Sequence, residues 1–212
     1  MTRQPAIVRH PFVICAAVLL CVSPAWAETM VVSVEEHWEL QLSQPDAERS
    51  APQTTMVMSP DGDLADIHFL FTLNHHTVPS YRPGGMQVQL WDAGQFVQES
   101  AAADEAVLQH SDEVVRWTQR ISLEDGTLTF QVVDGQSETW QSFGGAELSL
   151  SVSTSLTGLN SYRPGISLTE SQVGYAENRV ASLVLTKLVW VTDDGEVHEQ
   201  NAPIPIDTSL DP

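Results

Sequence analysis

Apolar and polar residues alternate along much of the chain beyond its N-terminal region. Trp38, Leu40 and Leu42 alternate with Glu39 and Gln41, and the same two-residue period recurs downstream. Because successive side chains of a strand point to opposite faces, each such stretch predicts a half-buried β-strand. Further stretches of this kind cover residues 67–73, 86–90, 115–123, 128–132, 148–152 and 183–185. Only residues 101–109 have the composition of a helix, and that segment is short.

Short turn motifs separate the alternating stretches. Glycine adopts positive φ easily and aspartate tolerates it, so Asp-Gly pairs predict tight hairpins. Many short strands with frequent turns and no alternation of strands with helices predict an all-β fold, an antiparallel two-sheet sandwich or jelly roll. The turn motifs are Pro60-Asp61-Gly62, Asp125-Gly126, Asp134-Gly135, Gly144-Gly145 and Asp194-Gly195.

The N-terminus has the features of a secretory signal peptide. Arg3 and Arg9 precede an apolar run over residues 12–22, and Ala25-Trp26-Ala27 supplies the small residues of a cleavage site. We therefore expect residues 1–27 to be removed and the mature chain to be secreted or periplasmic. The apolar run is too short to span a bilayer comfortably, and no second run follows it, so no membrane anchor is expected.

The mature chain is expected to fold without disulfides. Both cysteines, Cys15 and Cys21, lie in the predicted signal peptide. Stability must then come from a hydrophobic core, which a chain of this length can build as one domain. The predicted organisation is a single β-sandwich domain over residues 28–200 and an extended tail over residues 201–212, where prolines replace the alternation.

The charge balance excludes two classes of partner. The chain has 28 Asp and Glu against 9 Lys and Arg, for a formal net charge of −19. Such a field repels phosphate backbones and anionic lipids, so we expect neither nucleic-acid binding nor binding to a membrane surface. The simplest role of the negative charge is to keep the protein soluble. The alternative is that it attracts divalent cations.

Three aspartates form the candidate metal site. Asp61, Asp63 and Asp66 lie in a glycine-containing turn, and calcium selects oxygen ligands in this kind of arrangement. The alternative is that they form a solvated turn. The adjacent histidines at 75 and 76 are better explained as loop residues than as zinc ligands, because neighbouring residues rarely converge on one ion. Calcium is the one cofactor that the sequence suggests.

Two segments carry a resemblance to a known superfamily. Residues 117–152 combine a Trp-led strand, a glycine hairpin, a second strand, a second glycine turn and an apolar alternating strand, and residues 173–197 end in a strand and a hairpin. This pattern resembles concanavalin A-like lectin/glucanase domains of the laminin-G type. The resemblance implies a concanavalin A-like sandwich. It also implies glycan binding or, in some members, glycan hydrolysis.

Catalytic motifs do not support the hydrolytic alternative. Retaining glucanases of that fold carry a Glu-x-Asp-x-x-Glu strand, whose alternation places both carboxylates on one face. The nearest string here, Asp61-x-Asp63-x-x-Asp66, begins in a turn and has the shorter carboxylate at both ends. The mature sequence also lacks a Gly-x-Ser-x-Gly elbow, a His-Glu-x-x-His motif and a cysteine nucleophile. These observations favour a non-catalytic protein.

A repeated pentapeptide supplies most of the candidate ligand-binding residues. Ser-Tyr-Arg-Pro-Gly occurs at residues 80–84 and again at 161–165, each time after a Leu-Asn pair. Pro followed by Gly fits the centre of a type II turn, so each copy predicts a rigid turn that presents its Tyr and Arg. The arginines could instead pair internally with carboxylates. The candidates are Tyr81, Arg82, Tyr162, Arg163, Asn74 and Asn160.

Two tryptophans are candidates for the same site. Trp38 and Trp117 lie in phase with apolar neighbours and are expected in the core. Trp91 lies in phase with glutamines and Trp140 lies among polar residues, so both are expected on an outer face unless a loop covers them. The sequence thus predicts an exported, non-catalytic, carbohydrate-binding module. The alternatives are a structural or protein-interaction domain of an envelope or extracellular matrix and, third, a glycoside hydrolase-like enzyme.

Overall fold

The computed structural model describes residues 29–43, 52–74, 76–77, 82–83, 85–102, 108, 110–175 and 177–206. Within them, two antiparallel sheets pack face to face, which confirms the predicted all-β sandwich. The large sheet has the strand order β10-β9-β8-β1-β13-β14, and β11 also pairs with β9. Its strands are β1 (Val31–Leu42), β8 (Val114–Glu124), β9 (Thr127–Ser137), β10 (Gln141–Phe143), β11 (Ser149–Ser153), β13 (Val180–Thr192) and β14 (Val197–Ile206).

The small sheet has the order β12-β2-β3-β6-β7. One α-helix, α1 (Pro164–Glu170), and short 3₁₀ turns at Ala146–Leu148 and Glu177–Arg179 connect the strands. No helix in the described part of the chain is long and apolar enough to cross a membrane. The strands of the small sheet are β2 (Gln53–Met58), β3 (His68–Leu73), β6 (Met86–Asp92), β7 (Gln95–Ala102) and β12 (Gln172–Tyr175), and β4 (His76–Thr77) pairs separately with β5 (Arg82–Pro83).

The core lies between the sheets and follows the predicted alternation. Trp38 of β1 stacks on Trp117 of β8 with ring centroids 6.2 Å apart, and Phe71 of β3 meets Trp117 edge-on at 6.1 Å. Phe69 and Phe130 stack across the two sheets at 5.2 Å. Full burial of a side chain of this size stabilises the fold by about 1.5–3 kcal/mol. Other fully buried core residues are Leu40, Leu42, Met58, Leu73, Val88, Val115, Ile121, Leu128, Val132, Leu148, Val180 and Leu183.

The Asp-Gly pairs have two different roles. Asp125 and Gly126 have φ of 47° and 72° and form the tight turn between β8 and β9, as predicted. The prediction of a turn at Asp134-Gly135 is wrong, because both residues lie inside β9. A Cβ at Gly135 would lie 2.1 Å from Cε2 of Phe143, so glycine here makes room for a ring packed on the strand.

The second pentapeptide begins a helix instead of forming a type II turn. Pro164 is the first residue of α1, where its fixed φ suits a helix and its missing N–H costs nothing. Arg163 precedes the helix with extended backbone, and its carbonyl accepts from the N–H of Ile166 at 3.0 Å. The preference of proline for the first turn of a helix therefore outweighs its preference for a type II turn at this position.

Two segments differ from their predicted form, one at the C-terminus and one after β7. Residues 201–206, in the predicted tail, continue β14 and pair with β13. Residues 101–102, at the start of the segment with helical composition, end β7, while residues 103–107 and 109 lie outside the described residues. Strand pairing across the sheet thus extends beyond the clear alternation in the sequence.

Candidate functional site

Three β-bulges lie side by side in the large sheet. Between β8 and β9 the pairing shifts after Thr118, and between β1 and β13 it shifts after His37. Between β13 and β14 it shifts between Leu185 and Lys187. Each bulge adds an unpaired residue and bends its strand. Because the three occur at the same level of neighbouring strand pairs, the sheet is deformed along one line that crosses the strands.

A cleft of about 470 Å³ opens along that line on the outer face of the large sheet. Thr118 faces His37 directly in the β1–β8 register, and Asp134 faces Thr118 in the β8–β9 register. We call this cavity the outer cleft. The side chains that define it come from five adjacent strands and are Ser142, Gln136, Asp134, Arg116, Thr118, His37 and Thr186.

The imidazole of His37 lies between a hydroxyl and a carboxylate in the outer cleft. Its Nδ1 lies 3.1 Å from Oγ1 of Thr118, and its Nε2 lies 3.7 Å from Oε2 of Glu35. Arg120 fixes Glu35 by donating from Nε at 2.7 Å and by pairing through Nη2 at 2.6 Å. Nε2 forms no hydrogen bond within the described residues, and a proton on Nε2 would face the acceptor Glu35. Nδ1 is then free to accept from the hydroxyl of Thr118.

Burial keeps His37 neutral. Desolvation lowers the pKa of His37 below its usual value, and the charge of Lys187 lowers it further. Glu35 and Asp134 act in the opposite direction, but the net direction is downward. The lowered pKa favours the neutral form of the imidazole.

The other polar groups of the outer cleft are held at its walls. Nε of Arg116 donates to Glu39 at 2.8 Å, and the hydroxyl of Ser142 donates to Oε1 of Gln136 at 2.9 Å. The hydroxyl of Thr186 donates to the carbonyl of His37 at 2.9 Å. Asp134 is exposed, and its carboxylate forms no hydrogen bond or ion pair with the described residues. It is therefore the cleft carboxylate that is available to a ligand.

A second polar cluster lies on the inner face of β1, under the outer cleft. Glu36 is fully buried and accepts at Oε2 from Nε1 of Trp38 and from Nε2 of Gln119, both at 2.9 Å. Its Oε1 accepts from the hydroxyl of Tyr162 at 2.5 Å, and that hydroxyl also lies 3.2 Å from Oγ of Ser167. We call these five residues the buried cluster. It connects β1 and β8 to the segment around α1.

Burial raises the pKa of Glu36, although its hydrogen bonds oppose the shift. Burial and the neighbouring Glu36 also raise the pKa of Tyr162 well above its usual range. Oε1 accepts one hydrogen bond and Oε2 accepts two, so both carboxyl oxygens have partners. The buried cluster thus supplies partners to both oxygens of a fully buried acid whose pKa is raised.

The structure uses the second pentapeptide and its upstream asparagine for internal contacts. The hydroxyl of Tyr162 belongs to the buried cluster. Asn160 accepts at Oδ1 from the N–H of Val31 at 2.9 Å and donates from Nδ2 to the carbonyl of Thr29 at 2.9 Å. Arg163 is exposed, and its stem packs on Gly62. These contacts attach the segment to the start of β1.

The first pentapeptide is described only in part. Tyr81 lies outside the described residues, and Arg82 is described only as part of β5. The preceding Asn74 is fully buried and donates from Nδ2 to the carbonyl of Pro52 at 3.0 Å. Its φ of 57° places it in the left-handed region, which asparagine tolerates. Asn74 therefore closes a turn at the end of β3.

The two candidate tryptophans lie in different environments. Trp140 is buried and meets Phe143 edge-on at 6.2 Å, so its expected place on an outer face is wrong. Trp91 is partly exposed and donates from Nε1 to Gln89 at 3.2 Å. It lies between His68 and Phe96, at centroid distances of 6.5 and 5.8 Å. Packing in the core, together with the contact to Phe143, buries Trp140 despite its polar sequence neighbours.

The aspartates of the candidate calcium site organise their own loop. Asp61 accepts at Oδ1 from the hydroxyl of Ser59 at 2.9 Å and from the N–H of Asp63 at 3.0 Å. Asp63 accepts from the N–H of Ala65 at 2.8 Å. Across the described ranges, no group of three His, Cys, Asp or Glu side chains is arranged to hold a metal ion. A calcium site at Asp61, Asp63 and Asp66 stays a prediction.

The sequence prediction missed the residues that build the outer cleft and the buried cluster. Alternation assigns His37, Thr118 and Asp134 to an outer face but does not place them beside one another, because register across strands is set by long-range pairing. A signal did exist for the buried cluster. Glu36 and Gln119 occupy the apolar phase of their strands, beside Trp38 and Trp117, where a polar residue requires buried partners.

Comparisons with known proteins identify no family. No family model matches the chain, and no curated protein matches it. Among solved structures, scytalido-glutamic peptidase with a transition state analog inhibitor is similar at 11% identity, 85% coverage of both chains and a TM-score of 0.33. SCP-B, a member of the Eqolisin family of peptidases in complex with the tripeptide Ala-Ile-His, is similar at 10% identity, 83% coverage of both chains and a TM-score of 0.29.

These findings correct the prediction of a carbohydrate-binding module. Both similar structures are described as peptidases, and neither is described as a lectin. Likeness at these TM-scores transfers no activity and no catalytic residue to this chain. The resemblance to concanavalin A-like domains stays a prediction, since no comparison names that superfamily.

Proposed function

We propose that the mature chain, exported after loss of residues 1–27, is a polypeptide-binding module that holds an extended, basic segment in the outer cleft. This proposal develops the protein-interaction alternative of the sequence analysis. The observation that supports it is a concave cavity on the outer face of the large sheet, to which five strands contribute polar side chains. Ligand sites in proteins are typically concave, with a few polar groups that fix the orientation of the ligand.

The dimensions of the outer cleft suit an extended chain. It runs from Ser142 on β10 to Thr186 on β13, which are separated by four strand-to-strand steps. At about 4.8 Å for each step, the cleft is ~19 Å long, which corresponds to about six residues of extended polypeptide. Its hydroxyls, amide, guanidinium and imidazole can bond the alternating N–H and C=O groups of such a segment.

The charge favours a basic segment. The chain as a whole carries a formal net charge of −19, which attracts cations over a distance of about a Debye length. Within the outer cleft, Arg116 is paired with Glu39, whereas Asp134 has no such partner in the described residues. A lysine or arginine side chain of the ligand would supply the missing positive charge at Asp134.

Fluorescence anisotropy with labelled hexapeptides tests the proposal. The peptides differ only at the third residue, which is lysine, glutamine or glutamate. We expect the lysine peptide to bind tightest and the glutamate peptide weakest, with the difference reduced at high salt. Asp134→Asn should weaken binding of the lysine peptide about fivefold, corresponding to the ~1 kcal/mol of an exposed ion pair, and leave the glutamine peptide unchanged.

Glu124→Gln is the matched control. It also removes one exposed negative charge, but Glu124 lies at the end of β8 and does not line the outer cleft. Its affinities should equal those of the wild type. Failure of all three peptides to bind, or equal loss of lysine preference in both variants, would contradict the proposal.

A further inference from the structure

We infer that the outer cleft also supports acyl transfer, with Thr118 as the nucleophile, His37 as the general base and Glu35 as the positioning residue behind it. This inference rests on the outer cleft being a ligand site, as the proposed function does. It adds a covalent step that binding alone does not require.

The sheet register brings the three residues into line. His37 and Thr118 face each other across β1 and β8, and Glu35 precedes His37 by two residues, so all three share the outer face. Nδ1 of His37 is within hydrogen-bond distance of the Thr118 hydroxyl at 3.1 Å, and its Nε2 lies 3.7 Å from the Glu35 carboxylate without a hydrogen bond. A nucleophile hydrogen-bonded to a base, with a third group beside that base, is the arrangement of an activated hydroxyl, and the contact to the third group is often long before a ligand binds.

The charges around His37 leave the imidazole able to act as a base. Glu35 on its own strand, Arg120 on β8, Asp134 on β9 and Lys187 on β13 are the charged groups that surround it. Arg120 holds Glu35 in place, and the tautomer with a proton on Nε2 leaves Nδ1 facing Thr118. A neutral imidazole in this orientation is the form that a general base requires.

The chemical step is a transfer of an acyl group from an ester. Oγ1 of Thr118 bonds to the carbonyl carbon, and its proton passes to Nδ1 of His37. The bond from that carbon to the leaving oxygen then breaks, and His37 returns the proton to the leaving alkoxide. Water attacks the acyl-threonine by the same route in reverse and releases a carboxylic acid. Arg116 and Gln136 line the same cleft and carry N–H groups of the kind that stabilise an oxyanion.

The test uses p-nitrophenyl acetate with the mature chain. We expect release of p-nitrophenol and, in intact-mass spectra of the quenched reaction, a species heavier by one acetyl group. Peptide mapping should place that group on Thr118. Thr118→Val and His37→Gln should each lower the rate about 100-fold or more, which is the lower end of what general-base catalysis contributes.

Two further variants keep the inference falsifiable. Thr118→Ser retains a hydroxyl and should retain acetylation even if valine at this position disturbs the fold. Thr129→Val removes an outer-face hydroxyl on β9 that bonds Ser151 at 2.9 Å and has no histidine partner. It should react at the wild-type rate. Acetylation found only on lysines or the N-terminal amine, with Thr118 unmodified, would overturn the inference.

Glu35 is tested by the pH profile. The rate should rise with pH as His37 loses its proton. Removing the carboxylate in Glu35→Gln removes a charge that raises the pKa of His37, so the rise should move to lower pH. A merely structural role for Glu35 would change the rate without moving the profile. Hexapeptide binding without acetylation of Thr118 would remove the acyl-transfer inference and leave the binding proposal intact. Acetylation of Thr118 without hexapeptide binding would remove the binding proposal and leave the acyl-transfer inference intact.

Discussion

The two faces of strand β1 place similar carboxylates in opposite environments. On the outer face, Glu35 and Glu39 remain partly exposed and pair with Arg120 and Arg116. On the inner face, Glu36 is fully buried, and it is surrounded by neutral hydrogen-bond donors. Burial without a cation raises the pKa of Glu36, because desolvation disfavours its charged form. A single residue step along the strand therefore decides whether an acid lies on the partly exposed outer face or within the core.

The largest expected difference between the two faces is the loss of stability when a carboxylate on each face is truncated. Glu36→Ala leaves the donors of Trp38, Gln119 and Tyr162 buried without an acceptor and opens a cavity. We expect it to lower the free energy of unfolding by about 3–5 kcal/mol. Glu39→Ala on the outer face should cost less than about 1 kcal/mol. Urea titrations of both variants give the comparison, and equal losses would contradict the different roles of the two faces.

The buried Glu36 should also make the free energy of unfolding depend on pH. The pKa of Glu36 is higher in the folded than in the unfolded chain, so the folded state binds more protons between the two values. Its contribution to stability is therefore full below the unfolded pKa and is lost as pH rises through the folded pKa. Glu36→Gln mimics the neutral acid and should remove this loss. The free energy of unfolding of Glu36→Gln, measured relative to that of the wild type, should therefore increase as the pH is raised from acidic to neutral. A constant difference would show that Glu36 does not titrate in this way.

The histidine of the outer face provides a smaller and more local effect. The pKa of His37 should lie below its usual value in an NMR titration of its ring protons. Lys187→Gln removes a charge that lowers this pKa and should raise it, whereas Glu35→Gln should lower it further. Shifts of the same sign in the two variants would contradict the assigned charges.

The sequence predicts the sandwich because the period of two depends on each strand alone. It does not predict which residues of different strands meet, and this is why the outer cleft was missed. Register and the three bulges arise from pairing between distant segments. The same reason explains Asp134-Gly135, a local turn signal overridden by the ring of Phe143. Glu36 and Gln119 could have been recognised, since each interrupts an apolar phase that is otherwise kept.

The smallest expected effect is the interaction between Arg116 and Glu39 at the wall of the outer cleft. Their Nε and Oε2 lie 2.8 Å apart, but the arginine side chain is 65% exposed. Solvent screens such a pair and the ordering of two long side chains offsets its attraction, so a double-mutant cycle should give a coupling of about 0.5 kcal/mol. The coupling should disappear in about 1 M salt, where the Debye length falls to ~3 Å. A coupling above about 2 kcal/mol that resists salt would mean that the outer face of β1 behaves like its inner face.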